Sequence, residues 1–489
     1  MRRPSTTPGA RSTTIRAALA VSGALAVAAI TPGWATNHGA KSPTFSTPVR
    51  VTPANGGGYE PGIYVDRFGN LFMTAHKENF ELALSPDGRS QTGTRSMSWA
   101  WWSSDRGKTW KNLPLGPADA RNHEFGDEGD MATDDADNVY FVDTTVADVT
   151  ITSWHMGQNG PEFTFNTPLA GTAQALDDRP WITAHGNGHV FYFGNQGDKD
   201  TYPAGDQSAG PGAGPGRYTV YRSTDGGQNF DRTGVTLSDS GWCRPAAAPN
   251  SQFVYAVCTN DGGADDEIHN AGAPGYDHGV LYAYVSPNDG RTWYRHPITT
   301  YNSHDAWTSY PTVQVMPNGS IWASYVDGQG TTDGTKCASN QCTPGTARVI
   351  VMHSTDHGKH WTTYDATPAG AAAKWQYRYG WLSVARDGKT LGLSIYGRPL
   401  DPKKSSDQQA PWRVYGAVFR AGQHPELVDL DPKHPATAAG FSSPPGDFLM
   451  SVFDKTGKLH AAWTRVVTTA DTPAASAYVY RDIYTVSQR

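Results

Sequence analysis

The sequence predicts an all-β fold: a seven-bladed β-propeller of four-stranded antiparallel blades, its N-terminal strand closing the last blade. Three observations predict it: a composition suited to short strands and turns, a turn motif repeated four times, and seven strand starts at near-constant spacing. The 489 residues include 53 glycines and 34 prolines, 11% are aromatic and only 18% are charged. So many aromatics and turn-formers exclude a disordered chain, and so few charges exclude a coiled coil. A net charge of −6 over this length carries no basic excess, so neither nucleic acid nor an anionic membrane is an expected partner.

The chain opens with Met1-Arg2-Arg3 and a polar stretch, followed by an almost wholly apolar run over residues 17–30 and a small-x-small site at Gly33-Trp34-Ala35. This three-part pattern predicts a signal peptide over residues 1–35. A short linker over 36–45 and the propeller over 46–489 follow. The apolar run falls short of the about 20 residues that span a bilayer, and no later run reaches that length, so a secreted, monomeric chain without a membrane partner is expected. Four cysteines fit that compartment. Cys243 and Cys258 flank one hairpin-like segment and Cys337 and Cys342 bracket a short loop, so the pairings 243–258 and 337–342 are expected among the three possible connectivities.

The turn motif reads Ser-Ser-Asp-Arg-Gly-Lys-Thr-Trp at 103–110 and recurs at 223–230, at 286–293 with Asn288 in the Asp place, and at 354–361. The carboxylate can accept hydrogen bonds from the turn's own backbone, glycine allows positive φ, and the terminal aromatic pins the turn to the core. The strand starts are Glu60, Glu128, Arg179, Arg244, Tyr310, Tyr379 and Asp447, at intervals of 51 to 69 residues. In the first, third, fourth and fifth units the turn motif begins 42 to 44 residues after the start, so the two patterns are in phase. Residues 48–52 and 478–486 both read as strands, and together they would complete the seventh blade. Trp99, Trp101 and Trp102 read as blade core, with a sugar-stacking platform as the alternative.

The four turns are Asp-boxes, and from residue 36 onward the chain resembles the sialidase-like β-propeller superfamily, also called the bacterial neuraminidase repeat. That resemblance implies a glycosidase with an arginine triad for the substrate carboxylate, an acid/base carboxylate and a tyrosine nucleophile paired with a carboxylate. The sialidases have six blades where seven starts stand here, and where their first blade carries Arg-Ile-Pro this chain reads Glu60-Pro61-Gly62.

Alternate strands of a blade run the same way, so the starts should converge around the axis on the face opposite the Asp-boxes. None of the seven is aliphatic, and Asp127, Asp130, Asp178 and Arg378 lie beside them. Crowded carboxylates drive their pKa values apart, arginine grips carboxylates, and a phenol next to a base can attack or donate. The expected activity is a secreted sialidase-like glycoside hydrolase acting on a terminal acidic sugar. Glu60, Glu128 and Asp447 supply acid and base, Tyr310 and Tyr379 assist, and Arg179, Arg244 and Arg378, with Asp178, bind substrate. Two other functions fit the same residues: a uronate polysaccharide lyase, and a non-catalytic propeller binding glycan or protein. The cluster would also serve as a ring of ion pairs sealing the channel. No cofactor is required, although three neighbouring carboxylates would suit Ca²⁺.

Overall fold

The computed structural model describes residues 42–53, 57–78, 98–114, 128–144, 149–169, 180–196, 217–238, 240, 242–249, 251–259, 279–301, 311–329, 346–368, 375–401, 403–404, 408–441, 444–467 and 481–489. The expected signal peptide, most of the linker, Asp178, Arg179, Tyr310, Cys337 and Cys342 lie outside them. The described strands form seven four-stranded antiparallel sheets. Six of them run in simple chain order. The seventh takes its fourth strand from the other end of the chain: Val49–Arg50 pairs with Arg481–Ser487, which pairs with Leu459–Val466 and then Met450–Phe453. This is a seven-bladed β-propeller with the expected closure.

The inner strands are Gly57–Val65, Glu128–Thr133, Trp181–His185, Cys243–Ala247, Thr312–Val315, Trp375–Val384 and Met450–Phe453. The expected starts fall at or near their upstream ends, with one difference. Blades 1 and 6 begin earlier, at Gly57 and Trp375, because each inner strand passes through a β-bulge, between Tyr59 and Gly62 and between Arg378 and Trp381. The second strands are covered on both faces by neighbouring blades, and they are hydrophobic on both: every residue of Val254–Thr259 is buried. Trp101 belongs to the core, with Trp99 stacked on it at 5.1 Å.

The repeated turns close on one hydrogen-bond pattern. The Ser103 hydroxyl accepts the Gly107 amide at 2.9 Å, and Asp105 accepts the Lys108 and Thr109 amides at 3.0 and 2.9 Å. Asn288 takes the carboxylate's place in blade 4, accepting the Thr292 amide at 2.9 Å. Gly107, Gly227, Gly290 and Gly358 hold φ of 75° to 83° at the tight point, where a side chain would be strained. The turns between first and second strands lie on the same face as these motifs, since Arg106 of blade 1 reaches Asp454 of blade 7 at 3.8 Å. The upstream ends of the inner strands therefore meet on the other face.

Those first turns are organised by a buried aspartate: Asp66, Asp134 and Asp454 each accept two amides of their own turn. Burial works against the charge of Asp454, but bonds from His460, Thr456 and the Lys458 amide outweigh it and hold the carboxyl well below the usual range. A group whose folded pKa is depressed adds stability above its unfolded value, about 4, and loses it as pH falls through the folded value. Melting temperatures taken from about pH 5 down to about pH 2 should therefore fall more steeply for the native chain than for Asp454→Asn.

Candidate active site at the mouth of the channel

Arg244 is the second residue of its inner strand, next to Cys243, which is disulfide-bonded to its cross-strand partner Cys258. Its guanidinium lies between two indoles, 4.0 Å from the Trp181 ring centre and 4.7 Å from that of Trp381. Such a sandwich stabilises the cation where water is scarce. One nitrogen, Nη2, bonds Asp130 Oδ1 of blade 2 at 3.0 Å. The other, Nη1, is buried and has no hydrogen-bond partner among the described residues.

Asp130 is fully buried and holds three blades to Arg244: its Oδ2 accepts the Ile182 amide at 3.0 Å, and Oδ1 also accepts the Tyr64 hydroxyl. Burial pushes the Asp130 carboxyl above the usual range against the pull of Arg244. Burial and the neighbouring Asp130 charge push the Tyr64 phenol far up as well. A buried ion pair thus joins blade 2 to blade 4.

A second chain of contacts joins blades 6, 7 and 1. The Tyr379 hydroxyl donates to Asp447 Oδ1 at 3.1 Å. The Asp447 amide donates to Glu60 Oε1 at 2.8 Å, and Glu60 Oε2 lies 3.1 Å from His76 Nε2. Tyr379 and Glu60 occupy equivalent places, the two β-bulges, and both have a φ of 55°. A left-handed backbone at a glutamate and a tyrosine costs energy and is held by its surroundings. Gly446 is part of that hold, since a Cβ there would come 2.9 Å from Glu60 Cγ. Burial, then the charge of Asp447, pushes the Tyr379 phenol well above its ordinary pKa, so it is neutral at physiological pH.

Arg244, Tyr379 and Asp447 line one small recess. Its walls are aromatic, from Trp181, Trp242, Trp381 and Phe448. A neutral phenol hydrogen-bonded to a carboxylate, on the lining of a recess that also includes a cation, is a constellation able to bind an anionic group and move a proton beside it.

Of the residues the sequence nominates, Arg244, Tyr379 and Asp447 meet on the recess and Glu60 stands directly behind Asp447. Glu128 opens the inner strand of blade 2, and its side chain, like Asp178, Arg179 and Tyr310, falls outside the described residues. Arg378 does not line the recess; its guanidinium lies 6.0 Å from the ring centre of Trp412. Sequence reasoning missed the indoles of Trp181 and Trp381 and the anchoring role of Asp130. A signal was present: Pro180-Trp181, Gly380-Trp381 and Asp447-Phe448 each place an aromatic just after a nominated start.

The fold and this site define a seven-bladed propeller with an aromatic, arginine-bearing recess at one end of its axis. No protein-family model and no curated protein matches the chain. Among solved structures it is similar to a PL25 ulvan lyase (9% identity over 88% of this chain and 94% of that one, TM-score 0.49). It is also similar to the phage phi92 endosialidase (10%, 91% and 69%, TM-score 0.45) and to the Penicillium chrysogenum α-L-arabinanase complexed with arabinobiose (12%, 91% and 98%, TM-score 0.43). At these identities the likeness is one of fold.

Removing one partner of a buried ion pair leaves the other charge uncompensated, at about 3–5 kcal/mol. Asp130→Ala should lower unfolding stability by about that amount in urea denaturation, whereas Asp105→Ala on an exposed turn should cost under about 2 kcal/mol.

Proposed function

We propose that the chain is a secreted, carbohydrate-active propeller, a glycoside hydrolase of sialidase-like type acting on a terminal acidic sugar. The observation that carries this reading is the hydrogen bond from Tyr379 to Asp447 on the wall of a recess that also presents Arg244. Arg244 spends Nη2 on Asp130 and keeps Nη1 for the substrate carboxylate. The indole walls take the apolar face of the sugar ring.

Because burial keeps Tyr379 protonated, its oxygen attacks the anomeric carbon only as Asp447 accepts its proton. The glycosidic bond breaks as a carboxylic acid protonates the leaving oxygen. Water then cleaves the glycosyl–tyrosine bond, giving its proton to the carboxylate that had protonated the leaving oxygen, and the proton held by Asp447 returns to the phenol. Glu60 is engaged on both oxygens and positions Asp447. Glu128 is therefore the leaving-group acid in this reading. The Asp-box resemblance supports it, and the Cys243–Cys258 bridge is at home in the oxidising compartment to which residues 1–35 would direct the chain. The enzyme acts as a monomer and needs no cofactor.

The purified chain from residue 36 onward should release the fluorophore from at least one acidic fluorogenic glycoside, with or without Ca²⁺. Tyr379→Phe and Asp447→Asn should each lower kcat about 100- to 10,000-fold with little change in KM. Arg244→Lys, which loses the planar fork and the stacking face, should act mainly on KM. An unsaturated, ultraviolet-absorbing product from a uronate polysaccharide would assign β-elimination instead. Saturable glycan binding without turnover would assign a binding propeller.

A further inference from the structure

On the face opposite the recess, where blades 3 and 4 meet, a second group of titratable side chains converges that the reaction above does not use. Inner strand Trp181–His185 turns through Gly186, Asn187 and Gly188 into His189–Gln196, and His185 and His189 are paired across that turn. The φ of 62° at Gly186 and 81° at Gly188 makes the turn tight enough to stack the two imidazoles 5.1 Å apart. Asp289 enters from blade 4, with Oδ1 3.0 Å from His185 Nε2 and Oδ2 2.9 Å from His189 Nδ1. One ligand atom from each of the three residues lies within 4.8 Å of the other two. Arg222 Nη1 is 3.4 Å from Asp289 Oδ2, while its Nε engages Asp231 at 3.1 Å.

Comparison of the four repeated turns separates this arrangement from an ordinary junction between blades. The residue after the turn's Asp or Asn is Arg106, Gly226, Asp289 or His357, each with φ between 60° and 76°. At this position Arg106 lies 3.8 Å from Asp454, the Gly226 amide donates to Gly188, and His357 Nδ1 is 2.7 Å from the Tyr255 hydroxyl. Among the four, only position 289 sets a carboxylate between two imidazoles. Blade 4 is also the one whose turn is closed by a neutral amide, Asn288, so its carboxylate stands one residue later and is free to face the histidines.

We propose that His185, His189 and Asp289 form a site for a divalent transition-metal ion with the ligand preference of zinc, clamping blade 3 to blade 4. Two imidazole nitrogens and one carboxylate oxygen suit such an ion, whereas Ca²⁺ takes oxygen ligands throughout. Bonds of about 2.1 Å in a tetrahedron set ligand atoms about 3.4 Å apart. Each imidazole stands 3.0 or 2.9 Å from its own oxygen of Asp289, and one ligand atom from each residue lies within 4.8 Å of the others, so a modest adjustment brings three ligands onto one ion that replaces the hydrogens between imidazole and carboxylate. His185 and Asp289 are buried and the His189 side chain is 37% exposed, which leaves an entry path and room for water as the fourth ligand. The site lies across the ring from the recess, so its role is structural.

Chelator-treated protein titrated with zinc chloride in a calorimeter should take up one ion per chain and melt at a higher temperature once loaded. His189→Ala and Asp289→Asn should each weaken zinc at least tenfold, while His360→Ala, an exposed imidazole on the turn of blade 5, should not. His189 is half-exposed, so its variant should melt near the native temperature without metal. Cobalt loading gives a second readout: a visible d–d absorption that His189→Ala abolishes. Absence of saturable zinc binding to the native chain, or equal affinity in His189→Ala and Asp289→Asn, overturns the proposal.

Discussion

Pairing of Val49–Arg50 with Arg481–Ser487 turns a row of seven blades into a ring, and no bond in the main chain enforces it. The strand is short, with register Val49↔Thr485 and Arg50↔Tyr484, and side chains reinforce it: Arg50 and Thr52 both bond Asp482 Oδ1 at 2.8 Å. The same seam builds the site. Glu60 stands in the first blade and Asp447 in the seventh, so their 2.8 Å bond exists only when the ring is shut. Closure removes an open sheet edge and also completes the constellation at the mouth.

Within the ring, the shaft is governed by how one cation is kept in an apolar setting. Desolvating a guanidinium is expensive unless its faces and donors find partners. Two indoles supply the faces and Asp130 supplies one acceptor, drawn from three other blades. What distinguishes Arg244 from a purely structural residue is a remaining donor without a partner among the described residues, on a side chain that lines the recess. The far face works differently, with turns that bind themselves and, in blades 1, 4 and 5, lean on the preceding blade through one variable residue.

The blade count and the seam were legible because both follow from spacing: the turn motif and the strand starts share a phase, and a lone strand at each end has one place to go. Four of the polar starts, Glu60, Arg244, Tyr379 and Asp447, were legible as neighbours for the same reason. Their individual duties were not. Whether a carboxylate faces a ligand or a backbone amide depends on a bulge of one or two residues, and nothing in Tyr59-Glu60-Pro61-Gly62 or Arg378-Tyr379-Gly380-Trp381 announces a left-handed residue. The cluster of His185, His189 and Asp289 was hidden by distance, since it joins positions about a hundred residues apart and spans two blades. The turn His185-Gly-Asn-Gly-His189 was visible as a turn, but its partner was not.

The left-handed backbone at Glu60 and Tyr379 has an evolutionary consequence. Each such residue carries about 1–3 kcal/mol of strain that a glycine would relieve. Selection for endurance alone would therefore favour erasing these two side chains, and with them their contacts to Asp447. Propellers of this architecture hardened against heat would be expected to carry glycine at these places, whereas retention of the awkward conformation at both bulges would mark side chains kept for something other than stability.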